Sequence, residues 1–221
     1  MKGAWWKLTA SSLVMYALIA GLQFEVPHLP VLNETIRNLY YHVGMWFAML
    51  ALFLGSAIYS IKQLIKKDLS NDLKAESSAS VGMLFGILGL LTGMLWAQFT
   101  WGKFWVNDPK LNGTAISLLV YLAYFVLRNS VDNPETKARL SAVYNIFAFS
   151  IMIVFIQVLP RLTDSLHPGN GGNPAFSNYD LDNGMRMVFY PAILGWIGLG
   201  YWMFELRNRW KVLKEKELEF D

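Results

Sequence analysis

Residues 80–99 read SVGMLFGILGLLTGMLWAQF, twenty positions without one charged side chain. That is the length of an α-helix crossing a bilayer, about 20 mostly apolar residues at 1.5 Å rise each. The run is continuous rather than alternating, which selects a helix over a barrel strand. Five further stretches share the pattern, at 8–24, 36–61, 115–127, 143–159 and 187–204. The fourth in chain order, 115–127, is short and borrows Leu111 and Asn112. The expected fold is therefore all-α, a polytopic membrane protein with six transmembrane helices. The first stretch follows Lys2 and Lys7 as a signal peptide would, but Leu18-Ile19-Ala20 is a poor cleavage site, so it is read as a retained helix.

Composition agrees. Of 221 residues, 54% are hydrophobic and 16% charged, with a mean hydropathy of +0.32. A soluble domain is nearer 45–50% and about 25%. Cysteine is absent, which removes disulfides, thiolate metal sites, iron–sulfur clusters and covalent haem attachment within the chain. The net charge of +3 is a topology signal rather than a nucleic-acid face. Fourteen of the 19 Lys and Arg fall in one alternate set of segments; only Arg37, Lys103, Lys110, Arg161 and Arg186 fall in the other. The positive-inside rule then places both termini in the cytoplasm.

The two sides differ in kind. The cytoplasmic links look plain: residues 66–78 are charged and Ser-rich, and Asp132-Asn133-Pro134-Glu135 is a turn followed by a helix start. Residues 207–221 read as a mixed-charge cytoplasmic tail after a membrane domain at 1–206. The outer links are richer. One carries Pro27, His28 and Pro30; the next is a Trp-rich segment within 96–110; the third, 161–182, is long and holds His167. Loops of that length are often functional.

Trp101, Trp105 and Asp108 stand at i, i+4 and i+7 and would share one helical face, with Phe104 completing an aromatic plate and Gly102 permitting close backbone approach. An aromatic belt is the other reading, and it serves for Trp5, Trp6, Trp46, Trp196, Trp202 and Trp210. His42 lies about 9 Å inside the second helix, where an ionisable group is a functional hypothesis. A structural role, bonded to a neighbouring helix, is its alternative, as a solvated loop position is for His167. His28 is read as structural. Two histidines on one side of a membrane, beside an aromatic plate, suit iron, and bis-His haem is one outcome. The five outer cations could pair with propionates. The Gly82/Gly86 and Gly89/Gly93 pairs, like Gly195, Gly198 and Gly200, read as helix packing rather than chemistry.

Trp101-Gly102-x-x-Trp105-x-x-Asp108 between two spans, with Thr92-Gly93-x-x-Trp96, Tyr41-His42-Val43 and Leu166-His167, resembles the haem-handling "WWD" proteins of cytochrome c biogenesis, specifically the six-helix haem exporter protein C type. The chain departs from that pattern at Phe104, Asn107, Lys110 and Gly44. The resemblance implies that His42 and His167 ligate haem iron. It also implies that Trp96, Trp101, Gly102, Phe104, Trp105 and Asp108 cradle the macrocycle. The cofactor would be haem b, held non-covalently and transiently at the periplasmic face of a bacterial inner membrane. The implied partners are a periplasmic haem chaperone, ABC-type transporter subunits, a small membrane subunit and the lipid bilayer. Haem binding and transfer, rather than catalysis, is the expected role; a quinone-linked cytochrome b-type redox subunit is the alternative, and an ordinary transporter would need repeats that the chain lacks.

Overall fold

The computed structural model describes residues 3–168 and 181–218. The Gly-rich part of the last outer loop, 169–180, lies outside the described residues, as do Lys2 and the last three residues of the tail. Among the described residues there is helix and no strand.

Helix α1 spans Trp5–Gln23. A 3-10 turn at Asn33–Arg37 and a π-helical turn at Leu39–Val43 lead directly into α2, Gly44–Lys66. Helix α3 is Leu69–Trp101, thirty-three residues or about 50 Å. It starts well before position 80: Asp68 caps it through the Ser70 amide, so most of the Ser-rich stretch expected as a link is helical. Helix α4 is Pro109–Asn129 and α5 is Pro134–Ile153, both with Pro in the first turn. Asn133 caps α5 by accepting from the Thr136 amide, the turn-then-helix expected there. A second π-helical turn, Val154–Val158, leads to the single turn α6, Leu159–Leu162. Helix α7 is Asn183–Leu218 and runs unbroken through position 206.

Among the described residues, five helical segments are long and apolar enough to cross a membrane: Asn33–Lys66, Leu69–Trp101, Pro109–Asn129, Pro134–Leu162 and Asn183–Glu217. Helix α1 falls outside that set, because Lys7, Thr9, Ser11, Ser12 and Gln23 dilute its apolar content. It packs on α7 through small residues. A Cβ on Gly198 would lie 2.7 Å from the Ala10 Cβ, and one on Gly195 would lie 2.9 Å from the Val14 amide. Close backbone approach of this kind holds helices together where lipid removes the hydrophobic contrast.

Among the described residues, two buried clusters organise the fold. Met45, Met49, Phe53, Tyr121 and Met152 join α2, α4 and α5, with the Phe53 and Tyr121 rings stacked at 3.7 Å. Ile36, Leu39, Tyr40, Met185 and Val188 join the start of the second segment to α1 and α7. Within the first cluster, Asn145 Nδ2 donates to Ser56 Oγ at 2.6 Å and Ser60 Oγ at 2.8 Å, tying α5 to α2.

The end where α3 begins carries the buried charge. The Arg128 guanidinium forks onto both oxygens of Asp72, and Glu76 pairs with Arg207 and Lys211. The helical stretch from Arg207 to Lys211 is thus docked on α3. Large apolar side chains such as Leu84, Leu88, Leu91 and Leu95 on α3 and Leu119, Leu122 and Val126 on α4 remain exposed.

Candidate functional site

At the opposite end, α2, α3, α4 and the α5–α6 segment surround a cavity of about 620 Å³. Its walls include Leu39, Val43, Phe47, Leu50, Leu90 and Ile156, so it is mainly apolar. That volume sits within the roughly 300–1,000 Å³ usual for small-molecule and cofactor sites.

Both histidines singled out by position line this one cavity. His42 sits in the π-helical turn, a distortion often found at functional sites. Its Nδ1 lies 2.9 Å from the Gly89 carbonyl and 3.2 Å from Thr92 Oγ1. A carbonyl only accepts, so Nδ1 carries the proton. The Trp46 indole N–H donates to Nε2 at 3.1 Å. The Trp46 and Trp96 rings both meet the imidazole edge to face, 5.8 Å between centroids. The ring fits because α3 presents glycine there: a Cβ on Gly93 would lie 2.6 Å from His42 Cε1, and one on Gly89 3.1 Å from Trp46. Two of the four α3 glycines read as packing therefore seat site residues.

His167 is held by Asp108. Its Nδ1 is 2.9 Å from Asp108 Oδ1, and its ring meets Trp101 at 5.0 Å. Asp108 is almost wholly buried and is the N-cap of α4, accepting from the Lys110 and Leu111 amides at 2.9 and 3.2 Å. Its second oxygen accepts from Ser165 Oγ at 2.9 Å and the Leu166 amide at 2.7 Å. Burial alone would raise the Asp108 pKa. The hydrogen bond and charge of His167, with the Leu166 and Ser165 bonds, outweigh it and hold the carboxyl well below the usual carboxylate range.

The eight residues predicted to hold a cofactor therefore divide. His42, Trp96, Trp101 and His167 line the cavity; Gly102, Phe104, Trp105 and Asp108 do not. The shared helical face expected for Trp101, Trp105 and Asp108 is not formed, because α3 ends at Trp101 and Gly102 takes a left-handed conformation with φ +75°. The chain then turns outward. Phe104 and Trp105 are exposed, and Trp105 Nε1 donates to Asn112 Oδ1 at 3.2 Å. Asn107 Oδ1 accepts from Asn112 Nδ2 at 2.8 Å, clipping the segment onto α4. His28 is exposed and does not line the cavity.

Several wall residues escaped sequence reading. Trp46, assigned to an aromatic belt, lines the cavity; its i+4 spacing from His42 was the available signal. Of the five outer cations, Lys110 and Arg161 line the cavity. Arg37 does not, being engaged with Glu34 and the Gly21 and Phe24 carbonyls.

The family profile described as "Heme exporter protein C" matches residues 2–219. The chain belongs to the heme exporter protein C family. Relatives carrying that name include one from Rhodobacter capsulatus, 29% identical over 196 residues that cover 88% of this chain and 79% of the relative. Another, from Haemophilus influenzae, is 24% identical over 83% of this chain and 74% of its own length. A third, from Paracoccus denitrificans, is 30% identical over 62% and 57%. Family membership thus covers both cavity histidines and the Trp-rich segment between them.

Proposed function

We propose that the cavity binds haem b non-covalently, with His42 and His167 as the residues that would hold its iron, in the service of cytochrome c maturation. The observation that carries the reading is the tethering of both imidazoles. Each has Nδ1 turned to an acceptor, a backbone carbonyl for His42 and a carboxylate for His167, while both rings line one apolar cavity. Metal-ligating histidines are oriented in this way, with one ring nitrogen fixed by an outer partner and the other left for the metal.

The donor set fits the group. Two imidazoles are a bis-histidine pair, and Trp96 and Trp101 give flat apolar walls. Lys110 and Arg161 supply charge for two propionates. His42 and His167 would hold the iron, and the protein's part would be to hold, orient and release the group. His167 lies just after α6 on an outer loop, and it is the ligand suited to letting go first.

The sixth crossing in this reading is α1, docked on α7, with both termini cytoplasmic. The histidine end then faces the periplasm of a bacterial inner membrane. The membrane domain at 1–206 carries the site, and 207–221 lies across the bilayer from it. A periplasmic haem chaperone would take the haem, and ABC-type transporter subunits with a small membrane subunit would assemble alongside. Binding and transfer, rather than catalysis, is the role.

The test is spectroscopic. Protein purified in detergent from haem-replete cells should show a low-spin Soret band. The His42→Ala, His167→Ala double variant should lose it. Undiminished haem in the double variant would overturn the reading, and reversible quinol-dependent reduction would favour the redox-subunit alternative.

A further inference from the structure

We infer that Trp46 is a positioning residue for this cavity: its indole N–H occupies the ligating nitrogen of His42 and must leave it before a metal can bind. The inference rests on the haem reading above. Two bonds fix the His42 ring. The Gly89 carbonyl takes the Nδ1 proton, so the ring's lone pair sits on Nε2. The Trp46 N–H donates into that lone pair at 3.1 Å, with the rings nearly perpendicular at 80°.

An indole N–H is a donor only, so this contact has no second use. The lone pair it engages is the one that iron would take. Both side chains line the same cavity, so the indole borders open volume into which it can move.

The consequence is a balanced exchange. Without a ligand, a buried imidazole nitrogen would otherwise be stranded in apolar surroundings, which is costly. The indole removes that cost. Loading must break the bond, and release restores it. Trp46 therefore lowers net affinity and eases surrender, as a protein that hands its cargo onward requires.

The experiment titrates detergent-solubilised full-length protein with haemin, read at the Soret band, and follows loss of haemin to excess apomyoglobin. Trp46→Phe removes the donor, and benzothienylalanine at position 46 removes it while keeping the indole shape. Both should lower the haemin Kd and slow release by about five- to tenfold, the size of one neutral hydrogen bond. In a His42→Ala background the same changes should have no effect, because their target is gone. Ultraviolet resonance Raman difference spectra (wild type minus Trp46→Phe) should show a hydrogen-bonded indole N–H in the free protein that is lost on loading.

Unchanged or weakened haemin binding by the benzothienylalanine protein overturns the inference, as does equal tightening in the His42→Ala background. The haem reading survives either result provided that His42→Ala still loses the low-spin band. If His42→Ala, His167→Ala retains that band, the haem reading fails and takes this inference with it.

Discussion

Asp108→Asn isolates the strut that holds His167. The substitution keeps size and shape, and Asn caps helices about as well as Asp, so α4 should start normally. The two carboxylate oxygens are committed differently. Oδ1 accepts from the Lys110 and Leu111 amides and from His167 Nδ1; Oδ2 accepts from Ser165 Oγ and the Leu166 amide. Asn offers one acceptor. If its oxygen stays toward the cap and His167, its NH₂ faces the Leu166 N–H, donor against donor. If it flips, the cap and His167 lose their acceptor. Hydrogen bonds to charged groups contribute about 1.5–3 kcal/mol each. Loss of an outer partner of a metal ligand usually costs about 10- to 100-fold in affinity. Haemin titration of the detergent-solubilised variant should therefore show a Kd raised by 10- to 100-fold, a Soret band shifted toward the high-spin form, and unchanged helix content by circular dichroism. Wild-type affinity and spectrum in Asp108→Asn, where His167→Ala loses both, would refute the strut.

Three further outcomes follow from the same geometry. Gly93→Ala should weaken haemin binding by more than tenfold in the same titration, because a Cβ there would stand 2.6 Å from His42 Cε1 and displace the ring. Lys110→Ala and Arg161→Ala should each weaken haemin binding by about fivefold while leaving binding of haemin dimethyl ester unchanged, since the esters carry no charge to pair. The Asp108 carboxyl is held below its usual range when folded, so it stabilises the protein fully above about pH 4 and less as pH falls further; the stability gap between wild type and Asp108→Asn, followed by thermal unfolding from pH 6 to pH 3, should narrow at the acid end.

Five of the six expected spans were legible as long apolar helices because lipid imposes continuous apolar runs, and residues 80–99 lie in one. Their ends were not. Helix α3 reaches back to Leu69 through serines and charges that its neighbours satisfy, with Asp72 on Arg128 and Glu76 on Arg207 and Lys211. Those partners are far away in sequence. His42 and His167 were legible because the chain has only three histidines, and Trp101 because of its outer aromatic segment, while Trp96 was legible only through the family resemblance. Asp108 was legible as important but not in its role. Spacing put it on a plate with Trp101 and Trp105; the left-handed Gly102 ends the helix between them, and the carboxylate turns to its cap and to His167 instead. Lys110 and Arg161 could not be told from Arg37 by type, since only folding spends Arg37 on Glu34 and two carbonyls.

The π-helical turn at Leu39–Val43 shapes more than His42. One additional residue in a helical turn rotates everything before it by about 100° relative to everything after it. Ile36, Leu39 and Tyr40 can thus aim at α1 and α7, while Met45, Met49 and Phe53 aim at the central bundle. An uninterrupted α-helix would leave one of those two sets facing the wrong neighbours. The phase slip lets a single rod serve two interiors, and the imidazole stands at the seam where they meet.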